Sequence, residues 1–262
     1  MKKHIKNLIK KIRLIPTKRG NIVYKNIENL DDLILANLSR NERHLFCHKY
    51  FWNYAPNWLK KHREYFANNQ RSYGEDALHV MWYFLFQKFK PSKVLEIGVY
   101  RGSSLSLFSL LSTKLDYNCA VHGISPFSTD GDTVSEYLAG LNYYEDVLAN
   151  FEYFNLDKPH LHKGFSTDPE MHRVIKSEVW DLIFIDGNHD FDVVKQDFDM
   201  CSVNVKKGGL IILDDSALYT DYKAPFYSFA GHPGPSRVAD SIDNTIFEEI
   251  FSVSHNRVFQ KL

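Results

Sequence analysis

Between residues 93 and 213, short apolar runs alternate with helix-length stretches, and no other feature of the chain restricts its fold as much. Apolar runs at 94–97, 120–124, 161–163, 182–185 and 210–213 predict five strands, and 103–115, 143–154, 169–177 and 191–203 predict the helices between them. Strands joined through helices pair in parallel, and each crossover lays its helix on one face of the sheet. The tail predicts a helix over 236–248 and two strands, 250–253 and 257–261. Three residues separate those strands, so they pair as an antiparallel hairpin at the sheet edge. The expected architecture is an α/β domain over 91–262, preceded by a basic helical extension and cap over 1–90.

Charge divides the chain at the same place. Residues 1–90 hold 18 basic and 7 acidic side chains and residues 91–262 hold 14 and 25, so net charges of +11 and −11 cancel over 262 residues. A neutral chain whose larger part is acidic is poorly suited to follow a phosphate backbone, and no nucleic-acid partner is expected. Residues 1–19 carry eight Lys/Arg and no acid, with Ile5, Leu8, Ile9, Ile12 and Ile15 near helical spacing. That pattern allows peripheral contact with a membrane surface or an acidic partner, or plain solvation. The aromatic run from Phe46 to Trp58 suits a helical cap or a dimer surface, and a homo-oligomer is expected. Residues 76–89 are apolar on most faces and predict a buried helix ended by Pro91. Three scattered cysteines, no run of about 20 apolar residues and no clean leader pattern predict a cytoplasmic protein without a transmembrane segment.

The first strand ends in Glu96-Ile97-Gly98-Val99-Tyr100-Arg101-Gly102-Ser103-Ser104. Gly98 permits a sharp turn and a close approach of backbone to ligand, Gly102 brings the helix N-terminus near, and Ser103 is placed to cap it. A nicotinamide dinucleotide fingerprint needs GxGxxG. Here the spacing is GxxxG, and Glu96 would repel a pyrophosphate. The carboxylate suits a cationic, hydroxyl-bearing ligand such as S-adenosylmethionine (SAM), with its amino group and sulfonium. The second strand ends at Ser125, where an acid for the ribose hydroxyls is expected. Ser125 can replace it weakly, and Asp130 or Asp132 could fold back to do so. Phe127 offers an aromatic face to the adenine, and Ser166 is either an adenine or ribose contact or a helix cap.

Two further strands end in acid: Asp186 opens Asp-Gly-Asn-His189, and Asp214-Asp215 follows the 210–213 run. Neighbouring strands of a parallel sheet put these carboxylates at one rim, where ligands of open α/β sheets bind. Like charges so close need a cation or protons, and three oxygen ligands suit Mg²⁺ or another hard divalent ion. A metal chelating two vicinal oxygens lowers the pKa of a hydroxyl, and His189 is then the expected proton acceptor.

These blocks, E-I-G-V-Y-R-G-S-S, F-I-D-G-N-H-D-F and K-K-G-G-L-I-I-L-D-D, resemble the class I SAM-dependent methyltransferases of the macrocin O-methyltransferase and cephalosporin-hydroxylase-like group, over about 72–262. The resemblance implies a Rossmann-like class I methyltransferase fold, SAM bound on the turn at Glu96 and Gly98, and Mg²⁺ held by Asp186, Asp214 and Asp215. It also implies a general base at His189, with Asp186 at the reaction centre. The G-I-D-P of the group reads G-I-S-P here, through Ser125. The implied activity is metal-dependent O-methylation of a sugar or glycan hydroxyl. The alternatives are a catechol or phosphorylated metabolite as acceptor, or a non-catalytic partner-binding protein. Tyr73, just before the buried helix, is expected to close over the cofactor. In the loops after Asp215, Tyr219 and Tyr222 are expected to stack on a sugar ring. His232 is expected to contact substrate, and Arg237 to hold a phosphate or carboxylate.

Overall fold

The computed structural model describes residues 27–262; the basic segment 1–19 and the start of the extension lie outside them. Seven strands form one sheet: β1 Lys93–Ile97, β2 Ala120–Ser125, β3 His160–Lys163, β4 Trp180–Ile185, β5 Val205–Leu213, β6 Phe247–Val253 and β7 Asn256–Lys261. Their spatial order is β3-β2-β1-β4-β5-β7-β6. The first five pair in parallel, and β7 runs antiparallel to both β5 and β6. The chain reverses its direction of travel across the sheet between β1 and β4, which opens a crevice beyond their carboxyl ends.

The sheet is apolar on both faces, and residue parity decides which core each side chain joins. Val94, Leu182, Phe184, Leu210 and Ile212 face one cluster, and Leu95, Ile97, Ile183, Ile185, Ile211 and Leu213 face the other. The first cluster packs α5 (Ser103–Lys114) and the N-terminal helices α1 (Leu30–Leu35), α2 (Arg40–Asn53), α3 (Asn57–Phe66) and α4 (Asp76–Phe89). The segment 27–89 therefore shares its core with the sheet. Ser39 and Glu42 form a capping box that starts α2. The expected buried helix is α4, which ends where Lys90 turns left-handed before Pro91. The second cluster packs α7 (Pro169–Lys176), α8 (Phe191–Asn204) and α9 (Pro233–Asp240), while α6 (Tyr143–Tyr153) adds Val147 and Phe151 to the first.

The tail departs from expectation. In place of a helix over 236–248, α9 begins at Pro233, where two prolines in the first turn preset its backbone, and stops before Ser241. The Asp243 side chain then accepts from the Thr245 amide and hydroxyl, and Phe247 already pairs with Lys261. Among the described residues no helix is long and apolar enough to cross a membrane.

The crevice depends on one backbone crossing. Gly98 has φ +98°, and a Cβ there would lie 1.9 Å from the Asp186 carbonyl oxygen. Asp186 N–H donating to Ile97 O (2.8 Å) holds the two chain segments that close, and Gly98 N–H donating to Ile124 O (2.9 Å) ties the same turn to β2. Gly98→Ala forces the β1 and β4 ends apart against an unfavourable φ. It is expected to destabilise the protein by about 2–3 kcal/mol, read as a fall in melting temperature of several degrees.

Candidate active site

A cavity of about 1430 Å³ lies over the carboxyl ends of β1, β2, β4 and β5, roofed by the segment before α4 and the loops after β2 and β5. It is larger than the roughly 300–1,000 Å³ of a single small-molecule site, so two reactants fit together. Tyr73, Glu96, Gly98, Ser103, Ser125, Phe127, Ser166 and Asp186 line it; Gly102 does not.

Glu96 is 1% exposed. Ser104 Oγ donates to its Oε1, while Oε2 has no partner. Burial pushes the carboxyl up to about 8 in spite of the Ser104 bond, so at neutral pH it is largely protonated in the absence of a cationic ligand. Ser125 is differently placed from expectation: its hydroxyl donates to Val99 O (2.9 Å) and accepts from Phe127 N–H (3.4 Å). It ties the β2 turn to the β1 turn, so its proton is already committed. Phe127 sits in the left-handed region (φ 49°), edge-on to Tyr144. Ser166 donates to Asp197 Oδ2 (3.0 Å), and the N-cap of α7 is Asp168. Ser103 is not a cap either: Gly102 (φ 74°) is the N-cap of α5, without a side-chain bond. The Tyr73 hydroxyl donates to Glu136 O (3.2 Å), bridging the two sides of the cavity mouth.

The acids meet at the rim as parallel pairing requires. Two histidines approach Asp214 and Asp215, each backed by an outer carboxylate. His189 Nδ1 lies 2.5 Å from Asp132 Oδ2, and its Nε2 lies 3.1 Å from Asp215 Oδ2. His255 Nδ1 lies 3.7 Å from Glu75 Oε1, and its Nε2 lies 3.2 Å from Asp214 Oδ1. For His189, burial opposes charge, but the bonds to Asp215 and Asp132 outweigh it and raise the ring to about 9. For His255, burial is likewise overcome, chiefly by Asp214, and the ring rises to about 10. Asp214 is brought down to about 2 because His255 and Asp186 more than offset its own burial. Asp186 goes the other way. Burial first, then the charge of Asp214 and a hydrogen bond to it, hold the Asp186 carboxyl well above the usual range.

Protons and imidazolium rings therefore relieve the crowding that the sequence reading assigned to a metal ion. The expected ligand trio is Asp186, Asp214 and Asp215. Among the described residues, the groups whose ligand atoms lie within 4.8 Å of one another are Asp214, Asp215 and His255, and Asp215, His189 and His232. Asp186 belongs to neither, although it is hydrogen-bonded to Asp214. Asp214 Oδ1 is buried and faces His255 Nε2 at 3.2 Å, so a cation there takes the place of that ring's proton.

Sequence reasoning missed His255, Glu75 as its backing acid, and Asp132 as the partner of His189 in place of a ribose contact. None has a local motif; folding brings Asp132 to His189 across 57 residues. Among the expected substrate residues, His232 lines the cavity, 3.8 Å from Asp215 and with its ring 4.3 Å from that of His189. The others do not line it. Tyr222 is 3% exposed, and its hydroxyl is held by His44, Ser228 and Ser254. Tyr219 is solvent-exposed, and Arg237 lies on the outer surface over the Phe191 ring at 4.5 Å. The aromatic wall comes from Trp52, Tyr227 and Phe229.

The two dyads differ from His62 and His44, neither of which lies between two carboxylates. Burial lowers His62 to about 3 and His44 to about 4. Imidazole ¹⁵N spectra at pH 7.5 are expected to show His189 and His255 protonated and His62 and His44 neutral. Asp132→Asn is expected to move the His189 midpoint from about 9 toward its ordinary value. The stability linked to these two raised rings is complete below about pH 6.5 and is lost as pH rises through 9 and 10.

Comparison with known proteins agrees with the fold. Residues 95–216 match the family model of a methyltransferase domain. An uncharacterised protein of Acanthamoeba polyphaga mimivirus is 30% identical over 133 residues, 49% of this chain and 52% of the relative, so the chain spans about half the length of the curated relative it matches. An O-methyltransferase from Bacillus cereus, solved with S-adenosylhomocysteine (SAH), superposes with a TM-score of 0.52 at 15% identity, covering 80% of this chain and 93% of that one. A Podospora anserina methyltransferase, also bound to SAH, gives 0.53 at 17%, covering 95% and 98%. A Streptomyces achromogenes O-methyltransferase involved in tomaymycin synthesis, solved with SAM, gives 0.52 at 13%, covering 86% and 99%. Residues 95–216 are thus similar to a methyltransferase domain, and the sheet has the Rossmann-like fold of class I methyltransferases.

Proposed function

We propose that the protein transfers the methyl group of SAM to a hydroxyl oxygen, with a sugar or glycan hydroxyl as acceptor. The observation that carries the reading is the pair of carboxylate-backed imidazoles, His189 with Asp132 and His255 with Glu75, converging on Asp214 and Asp215 at the end of a cavity sized for two reactants. A hydroxyl is a poor nucleophile until its proton is drawn away, and an oriented imidazole does this. Asp132 fixes the His189 ring and accepts from its Nδ1, which leaves Nε2, once it has released the proton it shares with Asp215, as the atom that takes the acceptor's proton.

The residues also fit the ligands. The unpaired Oε2 of buried Glu96 favours a donor-rich cationic ligand, and SAM supplies an electrophilic methyl when bound there. Asp214, Asp215 and His255, the last after loss of its Nε2 proton, would hold a divalent cation, which would lower the pKa of a chelated hydroxyl and weaken the grip of Asp215 on the His189 proton. His232 and the Trp52, Tyr227 and Phe229 wall offer the polar and flat apolar surfaces that a sugar ring uses. The resemblance to the macrocin O-methyltransferase group supports the same acceptor class.

Labelled SAM incubated with nucleotide sugars, glycan fragments, catechols and phosphorylated metabolites tests the reading. Methyl transfer is expected to a sugar hydroxyl, to fall with a strong chelator and to return with divalent cation. His189→Ala is expected to lower the rate by about 10²-fold or more. Asp214→Asn should abolish the cation dependence with little change in SAH affinity. Transfer to nitrogen or carbon, or full activity in chelator, rejects the mechanism.

A further inference from the structure

Among the described residues three arginines line the cavity, and they are not equivalent. Arg63 donates to Asp76 Oδ1 (3.2 Å), and Arg101 grips Asp146 through Nε and Nη2 (2.6 and 2.9 Å). Arg71 has no carboxylate in salt-bridge range and no side-chain hydrogen bond among the described residues, and its Nε is buried with no acceptor. Its guanidinium lies over the Tyr65 ring at 4.4 Å, which orients the fork without satisfying its N–H groups.

The chain is bent on purpose to present it. Asn69 and Gln70, immediately before Arg71, both lie in the left-handed region (φ 57° and 53°), which is costly for a residue such as Gln. Arg101 Nη1 donates to Asn69 O (2.9 Å) and fastens that turn to the loop after β1. A strained turn, fixed from the side of the expected cofactor loop, thus carries a cation with open donors into a cavity whose other charged groups are mostly acids. An anionic group is repelled by the carboxylates of Asp214 and Asp215, and among the described residues Arg71 is the cavity arginine left to receive it.

We propose that Arg71 is the oxyanion-recognising residue of the cavity, binding a carboxylate or phosphate of a ligand through its guanidinium fork. The inference builds on the SAM reading. A ligand with two positive groups and one carboxylate, as SAM has, complements many acids and one free arginine, and a phosphorylated acceptor would offer the same chemistry.

The test is calorimetry on wild type and Arg71→Gln, with melting curves to show that both are folded. The probes are SAH, its analogue lacking the carboxylate (S-adenosyl-3-thiopropylamine), and inorganic phosphate added to SAH-saturated protein. Loss of a charge-assisted fork is expected to weaken SAH by about 10- to 100-fold and leave the decarboxylated analogue unchanged, which assigns the oxyanion to the cofactor. Unchanged SAH affinity with loss of phosphate binding assigns it to the acceptor. Equal losses for SAH and its decarboxylated analogue, or no change with any probe, overturn the proposal. Folded wild type that takes up no SAH refutes the SAM reading instead, and phosphate binding alone then decides the role of Arg71. Arg71→Lys, which keeps the charge without the fork, serves the same comparison if the glutamine variant does not fold.

Discussion

Four carboxyl groups, Glu96, Asp186, Asp214 and Asp215, crowd the carboxyl ends of β1, β4 and β5, and the surroundings are arranged to make that crowding tolerable. Unrelieved, like charges in a part-buried cavity cost several kcal/mol each. Two mechanisms relieve them. Glu96 and Asp186 keep their protons, the first through burial and the second through burial and its bond to Asp214. Asp214 and Asp215 instead face protonated His255 and His189. The glycine crossing at Gly98 matters for the same reason, since it sets how near the β1 turn comes to Asp186.

The parts of the molecule outside the parallel sheet are tied to this charge problem. Glu75 is the N-cap residue of α4, and it accepts from Ser228 Oγ (2.5 Å) and Ser254 Oγ (3.0 Å) while facing His255. One carboxylate thereby joins an N-terminal helix, the loop after β5 and the β6–β7 turn. The antiparallel hairpin is more than an edge for the sheet, because its turn delivers His255. Asp132 plays the corresponding part from the loop after β2, accepting both the His189 amide (2.8 Å) and its ring N–H.

This arrangement explains which features could be read in the sequence. The strands were legible because alternate residues of each run enter opposite cores, and both cores are apolar. Asp186, His189, Asp214 and Asp215 were legible because they directly follow such runs. Asp132, Glu75 and His255 have no apolar run or glycine motif beside them; only tertiary packing brings them to the rim. Ser125 was noticed for its position, but the sequence holds no sign that Val99 O takes its proton. Tyr222 reads like any loop tyrosine, and burial by α2 and the hairpin turn makes it a core residue. The end of the last helix was misread because Asp243 turns the chain through its own side chain, a local bond that competes with helix.

The two imidazoles beside Glu75 show how finely position sets the protons. His44 Nδ1 and His255 Nδ1 lie at nearly the same distance from the Glu75 carboxylate, 3.8 and 3.7 Å. Yet His44 is lowered to about 4 and His255 is raised to about 10. Both are buried, so burial does not separate them. His255 has Asp214 and Asp215 on its far side, whereas His44 has His48 beside it and His255 itself as a repelling neighbour. The proton goes to the ring with carboxylates on both sides, and its charge then keeps the next ring neutral. His189, between Asp132 and Asp215, obeys the same rule, and His232 beside it is lowered by burial and by the His189 charge. At each end of the rim a charged ring between two acids is thus accompanied by a neutral ring, so the cavity holds its positive charge at fixed atoms rather than sharing it among all its histidines.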